Sequence, residues 1–216
     1  MNSISCQTAK LTFIDENSAQ IFKKKEHVLI GISPNNSYYT EKKIEQILVW
    51  VLEQGFKDFH VFLADEISFY NWLTKGKIEK EAKKRTREED NKQRNRLFRV
   101  CEKYNLSKDI LVRYEDIKTQ EIYQYWYQFY RNLFQKNEVL LNQVYHLIFS
   151  ESENKNHFSL EYFFAELPMI LNVADILKIP FSCAVYHRIE GIPEYLFKQQ
   201  KLHQENQGFI KLIFEN

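Results

Sequence analysis

From residue 27 to residue 32 the apolar positions Val28, Leu29, Ile30 and Ile32 follow one another without alternation, and the chain then meets Ser33, Pro34 and two asparagines. A short continuous apolar run closed by turn residues fits a strand covered on both faces, as parallel strands are. Thr40 followed by Glu41 fits a helix N-cap with an acid in the first turn. Ile44, Ile47, Leu48 and Val51 then recur at helical spacing, and Gly55 reads as the stop. Phe59 to Asp65 reads as a second strand, so strand, helix and strand predict a right-handed parallel crossover.

The same alternation continues along the chain. The pattern predicts a short helix over 66–72, a long one over 77–104 and a third strand at Asp109–Tyr114. Residues 116–150 contain no Gly or Pro and read as one long helix with an aromatic, buried face; residues 151–157 read as a polar loop. A helix over 159–177 contains Pro168, which should kink or split it. A fourth strand at Phe181–His187, a short helix at 193–200 and a last strand at Phe209–Phe214 follow, and residues 10–15 are a weak further strand. The expected fold is α/β: a Rossmann-like parallel-sheet sandwich with helices on both faces, one domain over residues 1–216. Ligands of such sheets bind at the carboxyl ends of strands, which makes the loop at Ser33 the first place to look for a site.

Composition sharpens this picture. Hydrophobic residues make up 44 % and aromatics 15 %, against five Gly and four Pro, so most of the chain is expected to be ordered. Cys6, Cys101 and Cys183 are odd in number and far apart, without a C-x-x-C pair or a signal-like segment. That predicts a reducing cytoplasm and no structural zinc. Every apolar run is far shorter than the ~20 residues that span a bilayer, so no membrane partner is expected.

Net charge is only +1, but the segment from Lys75 to Arg99 holds eleven Lys or Arg against five Asp or Glu. The basicity is local. No Gly-rich phosphate loop, dinucleotide fingerprint or zinc-protease motif occurs, and the six histidines are scattered, none read as at metal spacing with another His, Cys or carboxylate. Neither cofactor nor metal is expected. Ser33 lies in G-I-S-P-N rather than in a hydrolase elbow, and no nearby Asp and His complete a triad. Read alone, it is a loop-capping serine.

Three separate pieces give a more specific reading. They are His27 to Tyr39, which contains H-x-L-I-G-I-S-x-x-N-S-Y, then Tyr162-Phe-Phe-Ala-Glu166-Leu-Pro168 as Y-x-x-x-E-x-P, and Tyr186-His187 closing the fourth strand. In this order, with a basic helix between the first and second, they resemble the cyclodipeptide synthases, which join two amino acids from aminoacyl-tRNAs into a 2,5-diketopiperazine. The resemblance runs from about His27 to about Leu196 and implies a domain similar to the catalytic domains of class I tyrosyl- and tryptophanyl-tRNA synthetases. It implies that Ser33 accepts the first aminoacyl group as an ester, that Tyr162 and Glu166 hold the α-amino group, and that Tyr186 relays a proton or supports the intermediate. Asn36, Tyr123 and His187 fall at supporting positions. His187 stands where the branch sharing Asn36 and Tyr186 has glutamine. Leu29, Gly31, Phe62, Met169 and Ala184 align with the substrate pocket.

Transfer from an activated ester to serine needs neither ATP nor metal, and the absence of H-I-G-H and K-M-S-K-S leaves ATP activation without residues to carry it. The expected partners are two aminoacyl-tRNAs, and the protein is expected to act as a monomer. By both routes the basic helix is the tRNA element. Lys80, Lys84, Arg87 and Arg94 form one stripe, and Lys92, Arg96 and Arg99 a second. Family members carry paired arginines here, and one of that pair is Asn95 in this chain. Two other readings stay open: a self-paired, solvated helix using its five acids, and a non-catalytic tRNA- or RNA-binding module that kept the fold.

Overall fold

The computed structural model describes residues 9–34, 36–150, 158–188 and 190–214. Cys6 and the expected polar loop at 151–157 lie outside them. In chain order the first half runs β1 (Ala9–Phe13), α1 (Glu16–Lys24), β2 (His27–Ile32), α2 (Glu41–Gln54), β3 (Asp58–Leu63), α3 (Ser68–Thr74), α4 (Glu79–Lys103) and β4 (Leu111–Arg113). The second half runs α5 (Tyr114–Ile117), α6 (Glu121–Lys136), α7 (Glu138–Ser150), α8 (Phe158–Leu171), α9 (Val173–Ile176), β5 (Ser182–Tyr186), α10 (Ile192–Glu194) and β6 (Gln207–Phe214). A π-helical turn, Tyr195–Gln199, continues α10.

Among the described residues six strands form one sheet, ordered β1-β6-β5-β2-β3-β4. Five run parallel, and β1 pairs antiparallel with β6 at the edge, Leu11 opposite Leu212. The sheet is therefore mixed rather than purely parallel: a hydrophobic pattern gives the face of a strand but not its direction. Helices cover both faces. One core gathers Val28, Ile30, Val61 and Val185 with Ile44, Leu48 and Val51 of α2 and Leu97 of α4. The other gathers Leu29, Phe62 and Ala184 with Tyr123 and Phe134 of α6 and Phe163 and Leu167 of α8.

The local signals around β2 behave as the sequence indicates. Thr40 caps α2 by accepting from the Lys43 N–H at 3.2 Å, and Gly55 ends it at φ 69°, a left-handed position that glycine adopts freely. Two helices depart from expectation. The segment 116–150 is not one helix, because Asn137 (φ −126°, ψ 88°) ends α6 and its side-chain oxygen accepts the Leu140 N–H at 3.0 Å, capping α7. Pro168 does not itself split α8; the helix runs to Leu171 and breaks at Asn172, whose N–H still reaches the Pro168 carbonyl at 2.9 Å. Among the described residues no helix is long and apolar enough to cross a membrane.

Candidate active site

β2 is where the chain changes direction across the sheet: β3 and β4 lie on one side of it, β5 and β6 on the other. The crevice at the carboxyl ends of β2 and β5 is the topological switch point of the sheet. Ser33 directly follows β2 and Tyr186 ends β5, so parallel pairing brings residues 153 positions apart together, with their hydroxyl oxygens 3.4 Å apart. The N–H of Asn36 donates to the Ser33 carbonyl at 3.3 Å, and the Asn36 side chain accepts the Tyr38 N–H at 2.9 Å. Asn36 thus shapes the loop that presents the serine.

Strand register builds the floor. Leu29 is opposite Ala184, which is opposite Phe209, and one step nearer the loop Gly31 is opposite Phe62. All five lie along a cleft of about 820 Å³ whose wall is α8. A methyl group built on Gly31 would meet nothing nearer than Tyr186 Cδ2 at 3.8 Å. Within α8, Phe164 and Leu167 are buried in the core, while Tyr162, Phe163, Glu166 and Met169 line the cleft. Tyr162 and Glu166 are one turn apart, and the tyrosine hydroxyl donates to Glu166 Oε1 at 2.6 Å.

The electrostatics follow from this enclosure. Burial raises the Glu166 carboxyl to about 7, with the Tyr162 hydrogen bond pulling the other way. Burial and the Glu166 charge hold the Tyr162 phenol well above its ordinary value. Tyr186 is raised by the same causes and tempered by hydrogen bonds from Ser33 and Asn36. The cleft holds the Ser33 hydroxyl beside two phenols that stay protonated and a carboxyl raised to about 7. Such a set can position and move protons around an acyl group.

The other expected residues are placed unequally. His187 lines the cleft, with Nδ1 3.3 Å from the buried Tyr39 hydroxyl and its ring stacked on Tyr38 at 4.3 Å. Burial, then Arg188 and Lys211, push its pKa down to about 4, so it is neutral at pH 7. Tyr123 does not reach the cleft; fully buried, it donates to the Ala165 carbonyl at 2.8 Å and braces α8 from behind. Asn71 and Thr74 of α3 and Lys75 just after it line the cleft too. No sequence motif marked them, because α3 reaches the cleft only by packing on α8.

The expectation that no histidine lies at metal spacing with another His, Cys or carboxylate does not hold in three dimensions. Parallel pairing of β2 and β3 brings His27, Asp58 and His60 together, with ligand atoms within 4.8 Å of one another.

α4 carries the basic stripes, and its charges are partly self-paired. Lys84 lies 3.8 Å from Glu88, Lys92 3.7 Å from Glu89, and Arg94 donates to Asn91 at 2.6 Å. Arg96 points inward and donates to the Tyr39 carbonyl at 3.2 Å. Arg99 holds Glu41 of α2 through Nε at 2.8 Å and Nη2 at 2.6 Å. These two tie α4 to the loop and helix that follow Ser33. Lys80 and Arg87 are exposed.

Residues 10–213 match the profile of the family described as Cyclodipeptide synthase. The chain is 28 % identical over 228 residues to the cyclo(L-leucyl-L-leucyl) synthase of Staphylococcus haemolyticus (strain JCSC1435), covering 95 % of each. It is 26 % identical over 214 residues to that of Bacillus subtilis (strain 168), covering 91 % of this chain and 86 % of the relative. Among solved structures, that of the S. haemolyticus family member superposes with a TM-score of 0.88 at 26 % identity, covering 97 % of this chain and all (100 %) of the other. A tyrosyl-tRNA synthetase from Archaeoglobus fulgidus shares the fold with a TM-score of 0.59 at 14 % identity, over 92 % of this chain and 59 % of the synthetase.

Proposed function

Because this chain belongs to the cyclodipeptide synthase family, we propose that it makes a 2,5-diketopiperazine from two aminoacyl-tRNAs by way of an ester on Ser33. The observation that carries this reading is the placement of the Ser33 hydroxyl 3.4 Å from that of Tyr186, in the cleft that also holds the Tyr162–Glu166 pair.

In the first step Ser33 Oγ attacks the carbonyl carbon of an aminoacyl-tRNA ester. The aminoacyl–serine bond forms, the bond to the terminal ribose breaks, and the serine proton leaves with the ribose oxygen. Reactant and product are both esters, so the step is near balance, and holding the atoms at attack distance supplies rate worth ~7–11 kcal/mol. Tyr186 hydrogen-bonds the reacting oxygen. Glu166, ionised, holds the α-ammonium of the bound aminoacyl group.

For the second step that amine must be neutral, and a carboxyl that titrates near 7 is suited to take its proton. The amine attacks the ester of a second aminoacyl-tRNA to give a dipeptidyl enzyme and free tRNA. The new terminal amine then attacks the seryl ester, closing the ring and restoring the Ser33 hydroxyl. Lys80, Lys84, Arg87, Lys92 and Arg94 of α4 contact tRNA phosphates, and the reaction belongs to the cytoplasm, where charged tRNA is found.

The apolar lining from Leu29, Phe62, Met169, Ala184 and Phe209 suits an aliphatic first amino acid, and the relatives named as cyclo(L-leucyl-L-leucyl) synthases point to leucine. Expression in a bacterium with mass spectrometry of the medium tests the whole reading, since the mass of one ring constrains both amino acids. Incubation with leucyl-tRNA should add a leucyl mass to Ser33. Absence of both a ring and an adduct with any charged tRNA pool would leave a tRNA-binding module without catalysis.

A further inference from the structure

We propose that His27, Asp58 and His60 form a divalent metal site of the zinc class beneath the floor of the cleft, at the end of the sheet away from Ser33. The register places all three on one face: His27 is opposite Asp58 on the neighbouring strand, and His60 is two residues further along that strand. His27 Nε2 and His60 Nδ1 are 3.0 Å apart, and Asp58 Oδ2 is 3.9 Å from the same His60 nitrogen. A tetrahedral zinc at about 2.0–2.1 Å from nitrogen or oxygen ligands sets those ligands about 3.3 Å apart. The two nitrogens are already near that spacing, and a small swing of the Asp58 carboxylate closes the third edge.

Three further features fit a cation. Two imidazole nitrogens facing each other at 3.0 Å must share a single proton between their lone pairs, and a metal ion in the proton's place uses both. The second nitrogen of His27, Nδ1, lies 2.8 Å from the buried Ser182 Oγ on β5, the kind of outer partner that fixes ring orientation and tautomer in metal sites. The site is reachable: the side chains of Asp58 and His60 are 56 % and 25 % exposed, leaving a fourth position open to solvent beside the deeply buried His27. Two imidazoles and one carboxylate favour zinc over calcium or magnesium. The ion would clip β2 to β3 one layer below Leu29, a residue of the cleft floor, while taking no part in acyl transfer.

The full chain, free of any affinity tag and stripped with chelator, would be titrated with Zn²⁺ by calorimetry and followed by thermal unfolding. One ion per chain should bind, and the melting temperature should rise by about 5–10 °C at a hundredfold excess over Kd. His60→Ala should abolish both effects, Asp58→Asn should weaken binding, and Ser182→Ala should weaken it about 10–100-fold. His203→Ala, which alters the separate His203–Asp15 pair 3.6 Å apart, should change nothing. Absence of saturable binding, equal binding by His60→Ala and the unaltered chain, or loss of binding in His203→Ala would overturn the site.

Discussion

The cleft and the basic helix α4 are two polar regions of this protein, and they are organised in opposite ways. In the cleft a few groups sit at short range in a buried setting: Ser33 with Tyr186, Tyr162 with Glu166, Tyr39 with His187. Their distances are set by strand register and helix packing, and their protonation by burial. On α4 many charges sit in water, and Glu79, Glu88 and Glu89 are each matched to a base three or four residues away. Such pairs are individually weak and exchange readily for other partners. The contrast separates two physical requirements. Chemistry needs groups fixed before substrate arrives, whereas recognition of a polyanion needs charge that can be redirected.

Substitutions test this division most sharply in the cleft. Ser33→Ala should reduce ring formation by about 10³-fold or more and remove the covalent adduct, read by mass spectrometry of protein and medium. Ser37→Ala, at an exposed position of the same loop, should leave both nearly unchanged. Loss of the adduct in Ser37→Ala but not in Ser33→Ala would break the assignment.

Glu166→Gln should lower kcat/KM by about 10²-fold and abolish its rise with pH through about 7. The same variant should reveal strain. The folded carboxyl titrates near 7 against the ordinary carboxylate range when unfolded, so its contribution to stability is complete below that range and lost as pH rises through about 7. Above pH 8, Glu166→Gln should therefore be the more stable protein by on the order of 1–2 kcal/mol, discounted for water reaching the cleft. Chemical denaturation at pH 5 and pH 8.5 measures the difference.

Smaller effects belong to α4. Lys80→Ala with Arg87→Ala should raise KM for charged tRNA about tenfold, leave kcat nearly unchanged and lower the salt dependence of binding by about two ions. Arg99→Ala should be the mildest, shifting the melting temperature by no more than about 2 °C, because its bridge to Glu41 is exposed on both sides. A large KM effect of Arg99→Ala would show that the bridge to α2 opens to release the arginine for RNA.

Legibility in the sequence divides along physical lines. Short-range determinants were readable: the unbroken apolar run of β2, the Thr40 cap, the Gly55 stop and the extent of α4 all depend on neighbours a few residues apart. The break at Asn137 was not, since an asparagine within an otherwise helical pattern announces a cap only once the chain has turned. The antiparallel course of β1 was not, because strand direction leaves no mark on the pattern. The cleft was legible through its motifs, Ser33, Tyr162, Glu166 and Tyr186, while Asn71, Thr74 and Lys75 join it only through the packing of α3 on α8. The proximity of His27 to His60 belongs to the same class, a product of register between strands.

On the proposed function, Gly31 makes the product of this fold adjustable at little expense to folding. The position where a side chain would begin is empty out to 3.8 Å, and the backbone there is an ordinary strand that alanine also adopts. An added methyl group would fill part of the cleft rather than strain the sheet. On that function, a single such exchange would set a methyl against the Tyr186 ring and retune the size of amino acid admitted without straining the sheet, so selection on the compound made and selection on the stability of the protein could proceed almost independently at this position.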